Sequence, residues 1–444
     1  SCSLVGSEMC IRDSDISKYL TCDGTTENVI SVKVVHQTPS SRWYSGSGIY
    51  RDVELIVTDA VHVSRNGTYV TTPNLATEKD GDVTVKVQTD VQNDSSAQAA
   101  AQIRTTVLDA EGKAVSKAVT TDVTLAANST AEKEQTLKVN KPALWSTENP
   151  NLYYVQTEVL VDGKVKDTYK TTYGFRYINF DANTGFSLNG KNVKLKGVCM
   201  HHDQGALGAA SERDAVYRQV KKLKEMGCNA IRTSHNMPAP ELVKACDEMG
   251  MMLMAESFDE WNKAKCANGY NLIFDEWVEK DLVNLVHHYR NNPSVVMWCV
   301  GNEVPNQWDE SGCKISKFLQ DICHREDPTR PVTQGMDAPD AVVNNNMAAV
   351  MDVAGFNYRP FRYQVNYQKL PQGIILGSET ASTVSSRGVY KFPVERKAMA
   401  VYEDHQSSSY DVEHCNWSNL PEDDFIQHED LPYCIGEFVW TGFD

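Results

Sequence analysis

The sequence predicts a multidomain fold in which two β-sandwiches, the first of them partial, precede a (β/α)8 barrel. Length is the first indication, because 444 residues amount to about three typical domains. The second is that short runs of alternating β-branched residues fill the chain up to about residue 177. The third is that apolar strand-like runs alternate with amphipathic helical stretches from about residue 178 onward, which is typical of a parallel sheet.

The first 60 residues divide into a tail and a β-rich segment. Residues 1–14 (SCSLVGSEMCIRDS) lack the basic region and long apolar stretch of a secretory signal. They resemble translated adapter sequence, so we interpret them as a non-native tail and expect any targeting signal to lie upstream. Over residues 15–60, the runs NVISVKVV and DVELIV flank a polar turn segment and predict strands of the partial sandwich.

Residues 61–177 carry the pattern of an immunoglobulin-like sandwich. Runs such as DVTVKVQTDV, AQIRTTVLD and YYVQTEVLVDGKV alternate in hydrophobicity and are bounded by Gly, Asn or Asp. Within the last run, Asp162 and Gly163 predict a tight hairpin, because both residue types accept positive φ angles.

Residues 178–444 contain eight candidate barrel strands. They are VKLKGVCM, NAIRTS, MMLMAES, SVVMWCVG, PVTQGM, VAGFNY, GIILGSE and YCIGEFVW. The stretches SERDAVYRQVKKLKEMG and FDEWVEKDLVNLVHHYR between early members have helical periodicity. In a (β/α)8 barrel the functional residues lie at the carboxyl ends of the strands and on the loops that follow.

The composition restricts the class of partner. Subtracting 59 acidic from 43 basic residues gives a formal net charge of −16, which disfavours nucleic acid and anionic membrane surfaces as partners. No apolar run reaches the roughly 18 residues that a spanning helix needs. The 12 cysteines are scattered without C-x-x-C pairs, which argues against a disulfide framework or a zinc site.

Polar residues cluster at the predicted strand ends, where we expect them to converge on one rim of the barrel. They are His201, His202, Asp203, Arg232, Ser234, His235, Asn236, Glu256, Asp259, Glu260, Asn302, Glu303, Asn357, Tyr358, Glu379, Glu437 and Trp440. Glycosidic cleavage needs two facing carboxylates, one to protonate the leaving oxygen and one to attack the anomeric carbon or activate water. Glu303 and Glu379, behind the fourth and seventh strands, could approach to about 5 Å, the spacing of a retaining enzyme.

Two of these groups leave other interpretations open. A metal-dependent barrel hydrolase could use His201, His202 and Asp203 as a metal site, although the adjacent His201 and His202 must point to opposite sides of a strand. Tyr358 and Trp440 could be core aromatics, or they could stack against the apolar face of a sugar.

Several motifs, taken in order, resemble glycoside hydrolase family 2 and especially its β-galactosidases. They are SSRWYSGSGIYRDVEL, GFR, GVCMHHDQGALG, NAIRTSHN, AESFDEW, RNNPSVVMWCVGNE, ILGSETAS and GEFVWTGFD. The resemblance implies a jelly-roll sugar-binding domain, partial here, over 15–60, an immunoglobulin-like domain over 61–177 and a catalytic barrel over 178–444. Because the sequence stops just after the eighth strand, we expect a fragment whose barrel lacks its last helix and stays unclosed.

By the same resemblance, Glu303 is the general acid/base, Glu379 is the nucleophile and Asn302 contacts the sugar 2-hydroxyl. The remaining matches are substrate-binding residues: His201 and His235 line the sugar subsite, Arg232 supports the nucleophile, Tyr358 hydrogen-bonds it, Trp440 forms an aromatic floor, and Arg42 or Trp43 reaches in from the jelly-roll.

The resemblance implies no required cofactor. Some members of the family bind magnesium beside the acid/base through a Glu and a His a little after the third strand. Glu260 is present here, but Asn262 stands where that His would be, which counts against a bound magnesium ion.

The expected function is therefore a retaining exo-glycosidase that removes terminal β-D-galactosyl units from an oligosaccharide or glycoconjugate. A β-glucuronidase or another β-glycosidase of the family is the alternative, although we do not find the loop with an Asn-x-Lys motif that recognises the sugar carboxylate. A further alternative is that the chain is an inactive carbohydrate-binding fragment. The residues leave open a homo-oligomer of the full-length protein, and they favour an extracytoplasmic location only slightly over a cytoplasmic one.

Overall fold

The computed structural model describes residues 13–44, 46–78 and 81–443. The tail predicted over 1–14 therefore lies outside the described residues, apart from Asp13 and Ser14. In the described part of 15–60, a 3-10 turn at Ser17–Tyr19 is followed by chain without a further helix or strand.

The two strands predicted at NVISVKVV and DVELIV are not formed. A strand exists only with a hydrogen-bonded neighbour, and neither run pairs with another segment among the described residues. Their apolar side chains are accordingly exposed, for example Val29 at 75% and Val57 at 83%. The assignment of 15–60 to a jelly-roll stays a prediction.

Seven antiparallel strands over residues 61–173 form two packed sheets. They are β1 (Val61–Thr71), β2 (Asp82–Asn93), β3 (Ala99–Leu108), β4 (Val119–Leu125), β5 (Ser129–Asn140), β6 (Tyr153–Val161) and β7 (Lys164–Tyr173). The sheets have the orders β1-β2-β5 and β4-β3-β6-β7. Alternate residues of β2 point into a core that both sheets share, where Val85 packs with Val107 and Val155. Asp162 and Gly163, with φ angles of 50° and 71°, connect β6 to β7 and confirm the predicted hairpin.

A small antiparallel sheet leads into the barrel. It consists of β8 (Ile178–Asp181), β9 (Gly185–Leu188) and β10 (Lys191–Asn192). Phe186 and Leu188 pack into the barrel's inner apolar core, which also contains Leu195 and Met252.

Eight parallel strands then close into a barrel, which confirms the predicted (β/α)8 class. They are β11 (Leu195–Met200), β12 (Ala230–Thr233), β13 (Met252–Glu256), β14 (Val295–Asn302), β15 (Val332–Met336), β16 (Ala354–Asn357), β17 (Ile375–Ala381) and β20 (Cys434–Trp440). The expectation of an unclosed barrel is wrong, because β20 pairs with both β11 and β17 and closure requires only the strands.

Helices pack around the outside of the barrel. They are α1 (Arg213–Met226), α2 (Pro240–Met249), α3 (Phe274–Tyr289), α4 (Glu310–Glu326), α5 (Pro339–Asn344), α6 (Met347–Val350), α7 (Tyr363–Tyr367) and α8 (Pro421–Asp430). Two residues each in β18 (Lys397–Ala398) and β19 (Glu413–His414) pair within the long excursion between β17 and α8. None of the helices in the described ranges has the length and apolar character needed to cross a bilayer.

The sandwich is fixed to the barrel by buried polar contacts. Asn291, just after α3, accepts from the backbone N–H of Val70 at 2.9 Å and donates to the carbonyl of Thr68 at 2.7 Å. The Tyr69 hydroxyl donates to Asp327 at 2.8 Å. These contacts anchor β1 against the helical layer and leave the opposite, carboxyl end of the barrel strands free for chemistry.

Candidate active site

Glu303 and Glu379 lie near each other at the carboxyl ends of the barrel strands, in a cluster of polar side chains around Arg232 and Asn302 that is termed the hollow. Glu379 is in β17, and its backbone partner across the sheet is Asn357 at the end of β16. The Asn357 side-chain amide donates to Glu303 Oε1 at 3.1 Å, so one residue links the two carboxylate positions. Glu379 is 6% exposed, and the Glu303 side chain is 17% exposed. Both carboxylates are therefore largely shielded from water, as acid and nucleophile of a glycosidase need to be.

Arg232 is the electrostatic centre of this hollow. Its guanidinium is fully buried and donates to Glu256 Oε2 at 2.5 Å, to Glu379 Oε2 at 2.9 Å and to Asn302 Oδ1 at 2.8 Å. Burial acts to raise the pKa of Glu256, but Arg232 and His235 outweigh it and hold that pKa below its ordinary value. One buried cation thus serves two carboxylates and orients Asn302.

The ionisation of Glu379 is finely balanced. Burial raises the pKa of Glu379 to about 7; Arg232 opposes this increase, whereas the nearby charge of Glu303 adds to it. The Tyr358 hydroxyl donates to Glu379 Oε1 at 2.8 Å and also favours the ionised form. At and above neutral pH, Glu379 is therefore available as an anion in a buried site.

Asn302 and Asn357 pack against a glycine on β15. Asn302 donates its side-chain N–H to Asp259 Oδ1 at 2.9 Å, and its Oδ1 accepts from Asn357 at 2.9 Å. A Cβ atom on Gly335 would lie 2.7 Å from Asn357 Oδ1 and 3.1 Å from Asn302 Oδ1. The network therefore requires a residue without a side chain at position 335.

Two neutral histidines and two indoles form one wall of the hollow. The His201 ring stacks on Trp43 at 4.9 Å, and the His235 ring stacks on Trp440 at 5.4 Å. Burial lowers the pKa of His201 to about 4. His201 Nδ1 lies 2.7 Å from the carbonyl of Ser234, which can only accept, so Nδ1 carries the proton and Nε2 presents a lone pair.

His235 has the same arrangement, because its Nδ1 lies 2.6 Å from Glu256 Oε1. Burial also holds the pKa of His235 well below its ordinary range, so its ring is neutral. The predicted subsite residues His201, His235 and Trp440 are therefore brought together. His235 Nε2 accepts from the Asn302 side-chain amide at 3.3 Å, and His201 Nε2 is an acceptor of the kind that binds sugar hydroxyls.

Arg42 reaches this site from the segment before the sandwich. Its guanidinium lies 3.2 Å from Asp259 Oδ1 and 3.4 Å from Glu303 Oε2, with 46% of its side chain exposed. The neighbouring backbone crosses the barrel mouth, since Arg51 donates to the carbonyls of Met237 and Pro238. Segment 15–60 thus contributes to the hollow even though its predicted strands are not formed.

Two of the strand-end residues point elsewhere. His202 stacks on Tyr50 at 5.3 Å, on the opposite side from His201, as expected for adjacent strand residues. Glu437, expected on the rim, instead accepts from the Thr380 hydroxyl at 2.6 Å and lies 3.7 Å from His428 of α8. That expectation is wrong. The pairing of β17 with β20 is irregular and Gly436 has a positive φ, so the Glu437 side chain points toward α8 and not toward the rim.

The residues beside Glu303, the predicted acid/base, do not fit a magnesium ion. Glu260 already accepts from the backbone N–H groups of Lys265 at 2.5 Å and Asn271 at 2.9 Å. The side-chain oxygen of Asn262 accepts from Asn306 at 3.0 Å. Among the described residues, no group of three His, Cys, Asp or Glu side chains is arranged to hold a metal ion.

The sequence interpretation gave no role to Glu256, Asn357, Asp259 or Lys265. The first three were recognised only as polar strand-end residues, and Lys265 was not singled out at all. A carboxylate or amide directly behind an apolar barrel strand is the pattern that could have identified the first three.

Comparisons with known proteins agree with this architecture. The model for the TIM barrel domain of glycosyl hydrolases family 2 matches residues 182–426, and a second glycosyl hydrolases family 2 model matches residues 61–176. A β-galactosidase, BoGH2A, from Bacteroides ovatus is 36% identical over 97% of this chain and 54% of its own length. A putative β-glucuronidase from Formosa agariphila is 32% identical over 97% of this chain and 41% of its own length.

A solved structure leads to the same assignment. The crystal structure of a family 2 member from Bacteroides cellulosilyticus superposes with a TM-score of 0.78 and 34% identity, covering 90% of this chain and 47% of that one. The chain thus spans about half the length of these relatives. Because one family model alone matches more than half of the chain, this protein belongs to glycoside hydrolase family 2.

Proposed function

We propose that the protein is a retaining exo-glycosidase that removes terminal β-D-galactosyl residues, with Glu379 as nucleophile and Glu303 as acid/base. The observation that carries this proposal is the shared hollow, in which Asn357 links the position of Glu303 to that of Glu379. Glu379 is paired with the buried Arg232, and Glu303 is the more exposed of the two carboxyl groups, so their surroundings suit two different roles.

In the first step, Glu303 gives its proton to the glycosidic oxygen while ionised Glu379 attacks the anomeric carbon. The bond to the leaving group breaks as the glycosyl ester bond to Glu379 forms. Arg232 and the Tyr358 hydroxyl hold Glu379 in place until its charge is consumed. Asn302, fixed by Arg232, is proposed to bind the sugar 2-hydroxyl, where the contact strengthens in the transition state.

In the second step, Glu303 is the base. It takes a proton from a water molecule, whose oxygen attacks the anomeric carbon and releases Glu379 as a carboxylate. Two inversions at the same carbon retain its configuration. His201, His235 and Trp440 are proposed to bind the glycone, and Arg42 is proposed to contact the substrate from the mouth.

The choice of galactose rests on the relative from Bacteroides ovatus, which is named a β-galactosidase. A β-glucuronidase is the second candidate, because the exposed part of Arg42 is a cation suited to the carboxylate of a uronic acid. The relative from Formosa agariphila is named a putative β-glucuronidase.

Hydrolysis of 4-nitrophenyl β-D-galactoside and β-D-glucuronide by this protein tests both candidates. We expect faster turnover of the galactoside, and loss of turnover in Glu303→Gln and Glu379→Gln. Glu437→Gln is the matched control, since Glu437 is also a buried carboxyl of a barrel strand but faces helix α8. Undiminished turnover in either active-site variant would remove that residue from its role, and sugar-dependent melting without turnover would indicate a binding fragment.

A further inference from the structure

Lys265 occupies an unusual position on the loop between β13 and α3. Its side chain is 8% exposed, which is rare for lysine. The ammonium lies 2.7 Å from Asp259 Oδ1 and donates to the backbone carbonyl of Asn302 at 2.6 Å. This buried charge therefore reaches the residue directly before the proposed acid/base.

The contact fixes one particular peptide unit. The carbonyl of Asn302 and the N–H of Glu303 belong to the same planar peptide, and that N–H donates to the carbonyl of Gly335 at 2.7 Å. With Lys265 on one edge and Gly335 on the other, the plane cannot rotate without losing a buried hydrogen bond. Glu303 leaves this plane with a φ of 42°, in the left-handed region that residues other than glycine rarely adopt.

Asp259 fixes the other end of Asn302. Its Oδ1 accepts from the Asn302 side chain at 2.9 Å and from Lys265 at 2.7 Å. Ammonium, carboxylate and asparagine thus form a closed ring that holds both the backbone and the side chain of Asn302.

Glu260 holds the loop in the conformation that brings Lys265 to Asn302. Its carboxylate accepts from the backbone N–H of Lys265 itself, at 2.5 Å, and from that of Asn271 at 2.9 Å. The residue that a magnesium site would need is therefore used to shape the loop around Lys265.

We propose that Lys265 and Asp259 are a positioning pair that sets the geometry of Asn302 and Glu303, and that the ammonium supplies the cation of this loop in place of a metal ion. The role in catalysis rests on the proposed function of Glu303, whereas the structural role does not. The ammonium is covalently part of the chain, so the geometry is independent of the magnesium concentration.

The test compares Lys265→Met with Lys263→Met, an exposed lysine of the same loop that pairs with Asp309. We expect kcat for an aryl β-galactoside to fall about 100-fold in the first variant with a much smaller change in KM, because displacement of a catalytic group by about 1 Å has that effect. Lys263→Met should keep its kcat, and Lys265→Arg, which retains the charge, should recover part of the loss. If Lys265→Met does not fold, Lys265→Arg against Lys265→Gln gives the same comparison.

Two further measurements do not depend on turnover. Exchange of the Glu303 amide hydrogen should accelerate about tenfold in Lys265→Met, because the peptide is no longer held on both edges. The melting temperature of the wild type should not change with millimolar Mg²⁺ or with EDTA. An unchanged kcat and amide exchange in Lys265→Met, or stabilisation of the wild type by Mg²⁺, would overturn the proposal. If the wild type is inactive but amide exchange is still accelerated in Lys265→Met, the result counts only against the proposed function.

Discussion

Replacing Tyr358 by phenylalanine should shift the acid limb of the pH–rate profile to higher pH. The Tyr358 hydroxyl donates to Glu379 at 2.8 Å, and this bond stabilises the ionised carboxylate. Removing it disfavours the anion, so the pKa of Glu379 must rise. Attack on the anomeric carbon requires the anion, and activity at a given pH below the new pKa must therefore fall.

The size of the shift follows from the energy of a hydrogen bond to a charged group, about 1.5–3 kcal/mol. At about 1.4 kcal/mol per pKa unit, this corresponds to a shift of about one to two units. Since burial raises the pKa of Glu379 to about 7 in the wild type, the limb should move into the range of about 8 to 9. Near pH 7, the variant should then lose about 5- to 50-fold in kcat/KM, because the ionised fraction of Glu379 falls by that factor.

The assay is kcat/KM for an aryl β-glycoside measured from pH 5 to 9. Tyr363→Phe is the matched control, because Tyr363 is equally buried and its hydroxyl has no hydrogen-bond partner in the described part of the chain. Its profile should coincide with that of the wild type. An acid limb that stays in place in Tyr358→Phe, or moves to lower pH, would refute the role given to Glu379.

Three further substitutions test other parts of the structure. Gly335→Ala should reduce kcat at least about tenfold, since its Cβ would lie 2.7 Å from Asn357 Oδ1 and displace the amide network; steady-state kinetics measure this, and full activity would contradict the packing argument. Asn291→Ala should lower the free energy of unfolding by about 2–3 kcal/mol in urea titrations, because two buried backbone groups of β1 lose their partner; a change below about 0.5 kcal/mol would contradict it. Burial raises the pKa of Glu437 from 4.5 to about 7, so folding favours its protonated form and wild-type stability falls as the pH rises through 7. The free energy of unfolding of Glu437→Gln should therefore rise by up to about 3 kcal/mol relative to that of the wild type between pH 5 and 8. A difference in this free energy that stays constant across the range in urea titrations would refute the assignment.

The barrel could be predicted from the sequence because its strands are continuous apolar runs, buried on both faces. All eight predicted runs coincide with strands of the closed barrel, and Glu303 and Glu379 follow or end two of them. The same rule placed Arg232 and His235 in the hollow, since the carboxyl ends of parallel strands share one rim.

The sequence could not predict contacts that depend on tertiary geometry. Lys265 lies on a loop with no periodic pattern, and only the folding of that loop around Glu260 brings its ammonium to Asn302. Glu437 lies in an apolar run, as a rim residue would, but the irregular pairing of β17 with β20 turns its side chain away from the rim. The runs in 15–60 have strand composition, yet composition alone does not supply the neighbouring strand that hydrogen bonding requires.

Trapping of the covalent intermediate tests the catalytic pair most directly. The protein would be incubated with a slow 2-deoxy-2-fluoro-β-D-galactoside that has a good leaving group, and the labelled peptide would be located by mass spectrometry. The proposed mechanism predicts one glycosyl unit on Glu379, no label in Glu379→Gln, and retained configuration in the product. A label on another residue, or hydrolysis with inverted configuration, would contradict it.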